Sequence, residues 1–315
     1  LVTGLQCFGP TQTKTGVNGS FFLCDSSGHK SAIFKPMNME AGGVKNHRLT
    51  ASQNVQFRKS ILPGQGAGNE ALAYGLDKFA FGHHYEIPKT VLISLTHPAF
   101  EGRELGSAQK FLAGTCTLAD LTPKEITDIP KHEWEKLNFR LISGSTDAHY
   151  GNILYSKTDR KLYLIDSGDD FVGEEGECQY WNPWAAEERC NQPMSDEESC
   201  FLRNLNISKV MEAFEWQAQF NEQASPVLKV SNDKYLTQIL RLILAQAAGQ
   251  NKLSQARWAF VMNPYRDPYG IVHRSPIEHI YDQYIRPYSG QPGNWKDISQ
   301  MIDWKGVNKA IRAAI

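Results

Sequence analysis

The 315-residue chain has no apolar stretch near the roughly 18 to 20 residues that a membrane-spanning helix needs. Its longest candidate, residues 239–248, is interrupted by Arg241 and Gln246. An excess of either charge is also missing. Lysine and arginine total 33 against 34 acidic residues, a net charge of −1, which removes the electrostatic footprint of a general nucleic-acid or anionic-membrane binder. Cysteine is sparse: six residues, at 7, 24, 116, 178, 190 and 200, form no C-x-x-C pair. That pattern excludes a disulfide-dense scaffold and a zinc ribbon, and it leads us to expect reduced thiols in a cytoplasmic protein. No basic stretch running into an apolar core opens the chain, so no signal peptide is expected, and with Leu1 in first place the true start is expected upstream. What is present is 41% hydrophobic and 21% charged residues, enough for a large core in one big domain or two lobes.

The first hundred residues are rich in glycine and short apolar runs. Segments 20–24 and 31–35 read as strands joined by the turn cluster Asp25-Ser26-Ser27-Gly28-His29, preceded by Gly16-Val17-Asn18-Gly19-Ser20. Leu72, Tyr74, Leu76 and Phe79 recur at helical steps, which predicts a helix over 69–80 with Asn69 as its N-cap. Strands are expected at 91–95 and 107–112. Beyond Ala113 the character turns helical: Thr122-Pro123 with Glu125 marks a helix start, 132–142 continues helically, and helices are expected at 208–220, 233–248 and 304–314. The middle one is apolar on nearly every face and should be buried. Segments 152–156 and 161–166 form a further short hairpin. The expected fold class is α+β: a small β-rich N-lobe (1–112) and a larger helical C-lobe (113–315).

Three spaced features carry chemistry. Lys35 closes the strand Ala32-Ile33-Phe34-Lys35; Asp147 precedes Asn152 by five residues in Asp147-Ala148-His149-Tyr150-Gly151-Asn152; and Asp166 ends the next strand with Gly168 two residues on. A catalytic Asp and Asn five apart, then a hairpin and a metal-binding Asp, is the order and spacing found in protein kinases. Phosphoryl transfer needs positioning and charge neutralisation more than covalent chemistry. Lys35 would bridge phosphate oxygens, and the turn at Gly16, Gly19 and Ser20 would cover them with backbone N–H groups. Mg²⁺, a hard ion, suits the oxygens of Asn152 and Asp166. Asp147 would take or orient the acceptor proton, with His149 donating to the transferred phosphoryl oxygen. Singly, each has an ordinary alternative: a strand lysine is commonly a solvated charge, and loop Asp and Asn commonly bond their own backbone. Their joint order decides for ATP-dependent phosphoryl transfer.

The stretches 32–36, 66–74, 87–90, 106–111, 147–154 and 165–168 resemble, in order, the catalytic domain of the phosphatidylinositol 3-/4-kinase-like family of atypical kinases. The match covers residues 16–185 and is nearest to small members such as plant type-gamma kinases and the actin-fragmin kinase catalytic domain. What the resemblance implies is a bilobal kinase fold with ATP in the cleft and a divalent metal below it. It pairs Glu70 with Lys35, puts the adenine hinge at Phe111, Leu112 and Ala113, makes Asp147 catalytic, and assigns Asn152 and Asp166 to the metal. H-R-D, D-F-G and A-P-E are all missing, so activation-loop phosphorylation is not expected. Residues from about 200 onward match nothing and are expected to build a helical substrate platform.

The acceptor is read from charge. Residues 1–112 carry eleven basic and seven acidic side chains. Residues 166–200 carry eleven acids (Asp166, Asp169, Asp170, Glu174, Glu175, Glu177, Glu187, Glu188, Asp196, Glu197 and Glu198) against the single base Arg189. An anionic headgroup or bilayer calls for clustered Lys and Arg; the sign here is opposite. The expectation is therefore a serine/threonine protein kinase, with Trp181, Pro183 and Trp184 as partner anchors or as packing for the loop, and with actin bound to a severing partner as a substrate by resemblance. The alternatives are a phosphatidylinositol 4-kinase-type lipid kinase and an ATP-binding pseudokinase module.

Overall fold

The computed structural model describes residues 8–13, 18–40, 43, 45–46, 61–97, 100, 102–173, 182–266 and 272–315. Five antiparallel strands form the first sheet: β1 (Phe8–Gln12), β2 (Phe21–Cys24), β3 (Lys30–Pro36), β4 (Thr90–His97) and β5 (Gly102–Lys110), in the order β1-β2-β3-β5-β4. The β2–β3 hairpin uses the expected turn, where Asp25 Oδ1 accepts from the N–H groups of Ser27 and His29, both at 2.9 Å. Alternation along β2 and β3 turns Phe21, Leu23 and Phe34 inward onto Phe100 and Ala108, a small core in which Phe21 meets Phe100 edge-on at 4.9 Å. The opposite phase sends Ile33 and Lys35 to the other face.

Helix α1 (Gln65–Phe79) lies against this sheet. It begins four residues before the predicted start, with Gly66 and Gly68 inside it. Asn69 is accordingly no N-cap: it is buried, and its Nδ2 donates to Gly168 O at 2.8 Å and Asp170 O at 2.9 Å. Glycine weakens a helix interior, but a side chain at 68 would meet Leu228 and one at 66 would meet Glu40. Packing thus overrides the propensity that set the expected boundary.

A second sheet, β6 (Thr115–Thr117), β7 (Ile153–Ser156) and β8 (Lys161–Leu164), carries the expected short hairpin, with Ile153 opposite Leu164. Around it stand α2 (Pro123–Thr127), α3 (Lys131–Glu135), α4 (Asn138–Ser143), α5 (Asp196–Arg203), α6 (Ile207–Ala224), α7 (Asn232–Gln250), α8 (Gln255–Met262), α9 (Pro276–Tyr284), α10 (Trp295–Met301) and α11 (Trp304–Ala314). Thr122 caps α2 through a reciprocal Thr–Glu125 box, as its sequence predicts. The single helix expected over 132–142 is instead two, α3 and α4. Helix α7 is the axis of the large core: Leu236, Leu240, Leu242 and Leu244 are all fully buried. A small sheet lobe and a helical lobe therefore face each other. Among the described residues no helix is long and apolar enough to cross a membrane, and Cys24, Cys116, Cys190 and Cys200 are free thiols; Cys7 and Cys178 lie outside the described residues.

Candidate active site

Between the lobes runs a cleft of about 1410 Å³. Ser20, Lys35, Glu70, Phe111, Leu112, Asp147, His149, Asn152 and Asp166 all line it. Gly19 and Ala113 are not among its lining residues. The N–H of Gly19 is spent on Met39 O at 2.9 Å, and a Cβ there would stand 2.8 Å from that of Met39, so its glycine serves close packing. Ala113 is exposed, and the neighbouring Gly114 lines the cleft in its place. Gly16 lies outside the described residues, as do Trp181, Glu174, Glu175 and Glu177.

The strand register places Lys35 opposite Ser107, and its ammonium reaches two carboxylates. It is ion-paired with Glu70 on α1 and sits 3.0 Å from Asp166 Oδ1 just beyond β8. Glu70 also accepts from Gln109 Nε2 at 3.4 Å, and that amide in turn donates to Thr90 Oγ1 at 3.0 Å. Burial by itself would lower the Lys35 pKa, but the adjoining Asp166 and Glu70 charges hold it above its ordinary value. Burial would raise Asp166, yet Lys35, with help from Arg140, holds this carboxyl below the usual range. Glu70 moves the other way: burial and the nearby Asp166 charge outweigh Lys35 and raise it. Asp166 is 39% exposed where Glu70 is 2%.

Below the cleft, Asn152 Nδ2 donates to Asp147 O at 2.8 Å and to Asp147 Oδ2 at 3.2 Å. Both bonds use the amide nitrogen of Asn152 and leave its amide oxygen out. His149 Nδ1 accepts from Gly151 N at 2.9 Å, so Nε2 carries the ring hydrogen, 3.8 Å from Asp147 Oδ1. Asp166 adopts a left-handed backbone (φ 61°), uncommon for a residue with a side chain. Among the described residues no three His, Cys, Asp or Glu side chains form a closed metal cage. The Asp166 carboxylate and the Asn152 amide both line the cleft and offer the hard oxygen donors that Mg²⁺ takes.

Sequence reasoning missed the residue that assembles this floor. Arg140, fully buried on α4, pairs with Asp170 at 3.2 Å and donates to Ser167 Oγ, to Asn152 O at 3.2 Å and to Ile165 O. One guanidinium thus ties the backbone at Asn152 to the backbone just before Asp166. Its signal was a lone arginine inside Phe139-Arg140-Leu141-Ile142, a charge that must find buried partners. Also missed were Ile33, Leu154 and Ile165, which line the cleft with Leu112 and give it an apolar compartment beside the charged one. Expected charge effects change as well. Of the eleven acids in 166–200, Asp166 pairs with Lys35, Asp170 with Arg140, Glu187 with Tyr150, Asp196 with Lys252 and Glu198 with His84. Asp170 and Glu198 are buried in these pairs, whereas Asp196 pairs at the surface. Trp184 is fully buried and packs the loop instead of anchoring a partner.

The fold sets a small antiparallel-sheet lobe beside a larger helical lobe, with the cleft between them. No family model matches the chain. Over 251 residues, 71% of its length, it is 27% identical to phosphatidylinositol 4-kinase gamma 3 of Arabidopsis thaliana, covering 43% of that protein. Phosphatidylinositol 4-kinase gamma 1 of the same plant is 26% identical over 239 residues, 66% of this chain and 40% of the relative. The chain therefore spans less than half the length of these curated relatives. Among solved structures, the Helicobacter pylori proinflammatory kinase CtkA aligns with a TM-score of 0.43 at 9% identity, covering 76% of this chain and 94% of its own; so distant a likeness bears on neither activity nor substrate.

Proposed function

We propose that the chain is an ATP-dependent phosphotransferase that passes the γ-phosphate, with Mg²⁺, to a serine or threonine hydroxyl of a protein. The observation that carries the phosphotransferase reading is the Lys35–Glu70–Asp166 cluster, which lines one cleft together with Asp147, Asn152 and an apolar compartment. In this reading the base stacks between Ile33, Leu154 and Ile165, and Lys35 bridges phosphate oxygens. Asp166 and Asn152 would hold Mg²⁺, which would supply charge neutralisation on those oxygens. Asp147 accepts the hydroxyl proton as the acceptor oxygen bonds phosphorus and the bond to the β-phosphate oxygen breaks; His149 Nε2–H donates to a transferred oxygen. Retention of Lys35, Asp147, Asn152 and Asp166 together argues against a pseudokinase.

The protein acceptor is supported by Arg189, the one basic side chain of 166–200. Its guanidinium donates to Ile129 O at 2.9 Å and to Thr127 O, and lies over Trp134, so it is committed inward and unavailable to an anionic headgroup. A lipid acceptor is the second reading, favoured by the names of the plant relatives. An actin-type acceptor rests on the sequence resemblance alone. The test offers radiolabelled ATP and Mg²⁺ with a protein extract and, in parallel, with phosphoinositide vesicles. Label in protein supports the proposal; label only in lipid reverses the acceptor; nucleotide binding without transfer to either leaves a binding module.

A further inference from the structure

Helix α1 is not capped by its own N-terminus. The N-cap residue is Gly64, which has no side chain to offer and sits at φ 93°. Free N–H groups at a helix start need acceptors and carry partial positive charge. Here the acceptor comes from outside the helix: Glu40 Oε2 accepts from Gly64 N at 2.8 Å and Gly66 N at 3.0 Å, and its Oε1 accepts from Ala67 N at 2.8 Å. Glu40 is itself only 8% exposed. A side chain at Gly66 would meet that carboxylate at 3.0 to 3.1 Å, so the close approach depends on glycine.

The chain path gives this contact its meaning. Glu40 follows Lys35 by five residues, through Pro36 and the 3-10 turn Met37–Met39. Glu70 follows Gly66 by four, about one helical turn, so both fall on the same face of α1. The short segment from Lys35 to Glu40 therefore grips that face at two points: Lys35 on the Glu70 carboxylate, and Glu40 on the N–H groups one turn earlier. A slip or rotation of α1 that breaks one grip breaks the other. Asn69, between them, carries the hold to the metal loop through Gly168 O and Asp170 O.

We propose that Glu40 is a positioning residue: its carboxylate fixes the axial register of α1 against β3, and this register brings Glu70 to Lys35. The catalytic consequence rests on the phosphotransferase reading; the clamp itself does not. Glu40→Gln keeps the size of the side chain while removing the charge and one acceptor. With ATP saturating, its turnover should fall at least about tenfold, with KM for ATP changed by less than about threefold, the pattern of a group acting after binding. Glu70→Gln should behave alike, and the double variant should be no slower than Glu70→Gln alone, since residues sharing one linkage are non-additive. Glu40→Asp should recover part of the rate. A second readout needs no turnover: labelling of Lys35 by an amine reagent, read by mass spectrometry, should rise in Glu40→Gln as it does in Glu70→Gln. If Glu40→Gln does not fold, Gly66→Ala, which pushes on the same carboxylate with a better helix former, should raise Lys35 labelling. Additive rate losses, or Lys35 labelling unmoved by whichever variant folds, overturn the clamp. A wild type that transfers no phosphate while Lys35 labelling still responds to Glu40 overturns the functional reading and leaves the clamp standing.

Discussion

The protein holds two ion pairs within one constellation, one wholly buried and one partly open, and they are built differently. Arg140 and Asp170 are both wholly enclosed, and between them they bond Ser143, Ser167 and the carbonyls of Asn152 and Ile165. Lys35 and Asp166 keep 15% and 39% of their side chains exposed, on the side that lines the cleft. The first pair has no room for a ligand and can only hold backbone in place. The second has one open side, and the charges that stabilise it are those a nucleotide and its metal would exchange with. Closure thus marks the strut, and partial opening marks the groups proposed to meet the nucleotide.

That contrast is broken most severely at the strut. Arg140→Ala strands the Asp170 charge in a dry interior, and removing one partner of such a pair costs about 3 to 5 kcal/mol; urea denaturation should show that loss whether or not nucleotide is present. Asp166→Asn should cost at most about 1 kcal/mol in the absence of ligand, because the group is partly solvated, while abolishing both transfer and the rise in melting temperature with MgATP. Equal destabilisation by the two would erase the distinction between strut and working pair. Asp147→Asn should have the narrowest effect: transfer is lost, and the MgATP-induced rise in melting temperature persists. Parallel loss of that rise in both aspartate variants would remove the division between metal ligand and proton acceptor.

What the sequence disclosed follows from how locally each feature is encoded. The β2–β3 and β7–β8 hairpins, the Thr122 cap and the all-round apolar α7 are written in neighbouring residues, and each stands where patterning puts it. Lys35, Asp147, Asn152 and Asp166 were singled out by their order and spacing, and the fold brings all four to one cleft. The start of α1 was not, since it depends on Glu40, far back in the chain, and on glycines that local propensity reads as a loop. Arg140 gave no motif; its role appears only when α4, β7 and β8 converge on one guanidinium. The acidic surplus after Asp166 is legible as a count, but composition does not show which of those charges are already paired.

Two carboxylates sharpen the comparison by responding to pH in opposite senses. Asp166 is held below its ordinary pKa, so its contribution to stability is present above the unfolded value near 3.8 and is lost as pH falls through its folded value. Glu40 is different. Burial, aided by Asp169 and opposed by the N–H groups of Ala67, Gly66 and Gly64, pushes it up to about 7 from 4.5. Between these values the folded chain binds more protons than the unfolded one, so this group's contribution is complete below about 4.5 and is lost as pH rises through about 7. The full span corresponds to about 3 kcal/mol. Comparing unfolding free energies of wild type and Glu40→Gln across pH 4 to 8 isolates that slope, because every other group titrates in both. The wild type should lose stability relative to Glu40→Gln as pH climbs, and a flat difference would mean that the Glu40 carboxylate is far better solvated, and the α1 contact looser, than the buried geometry requires.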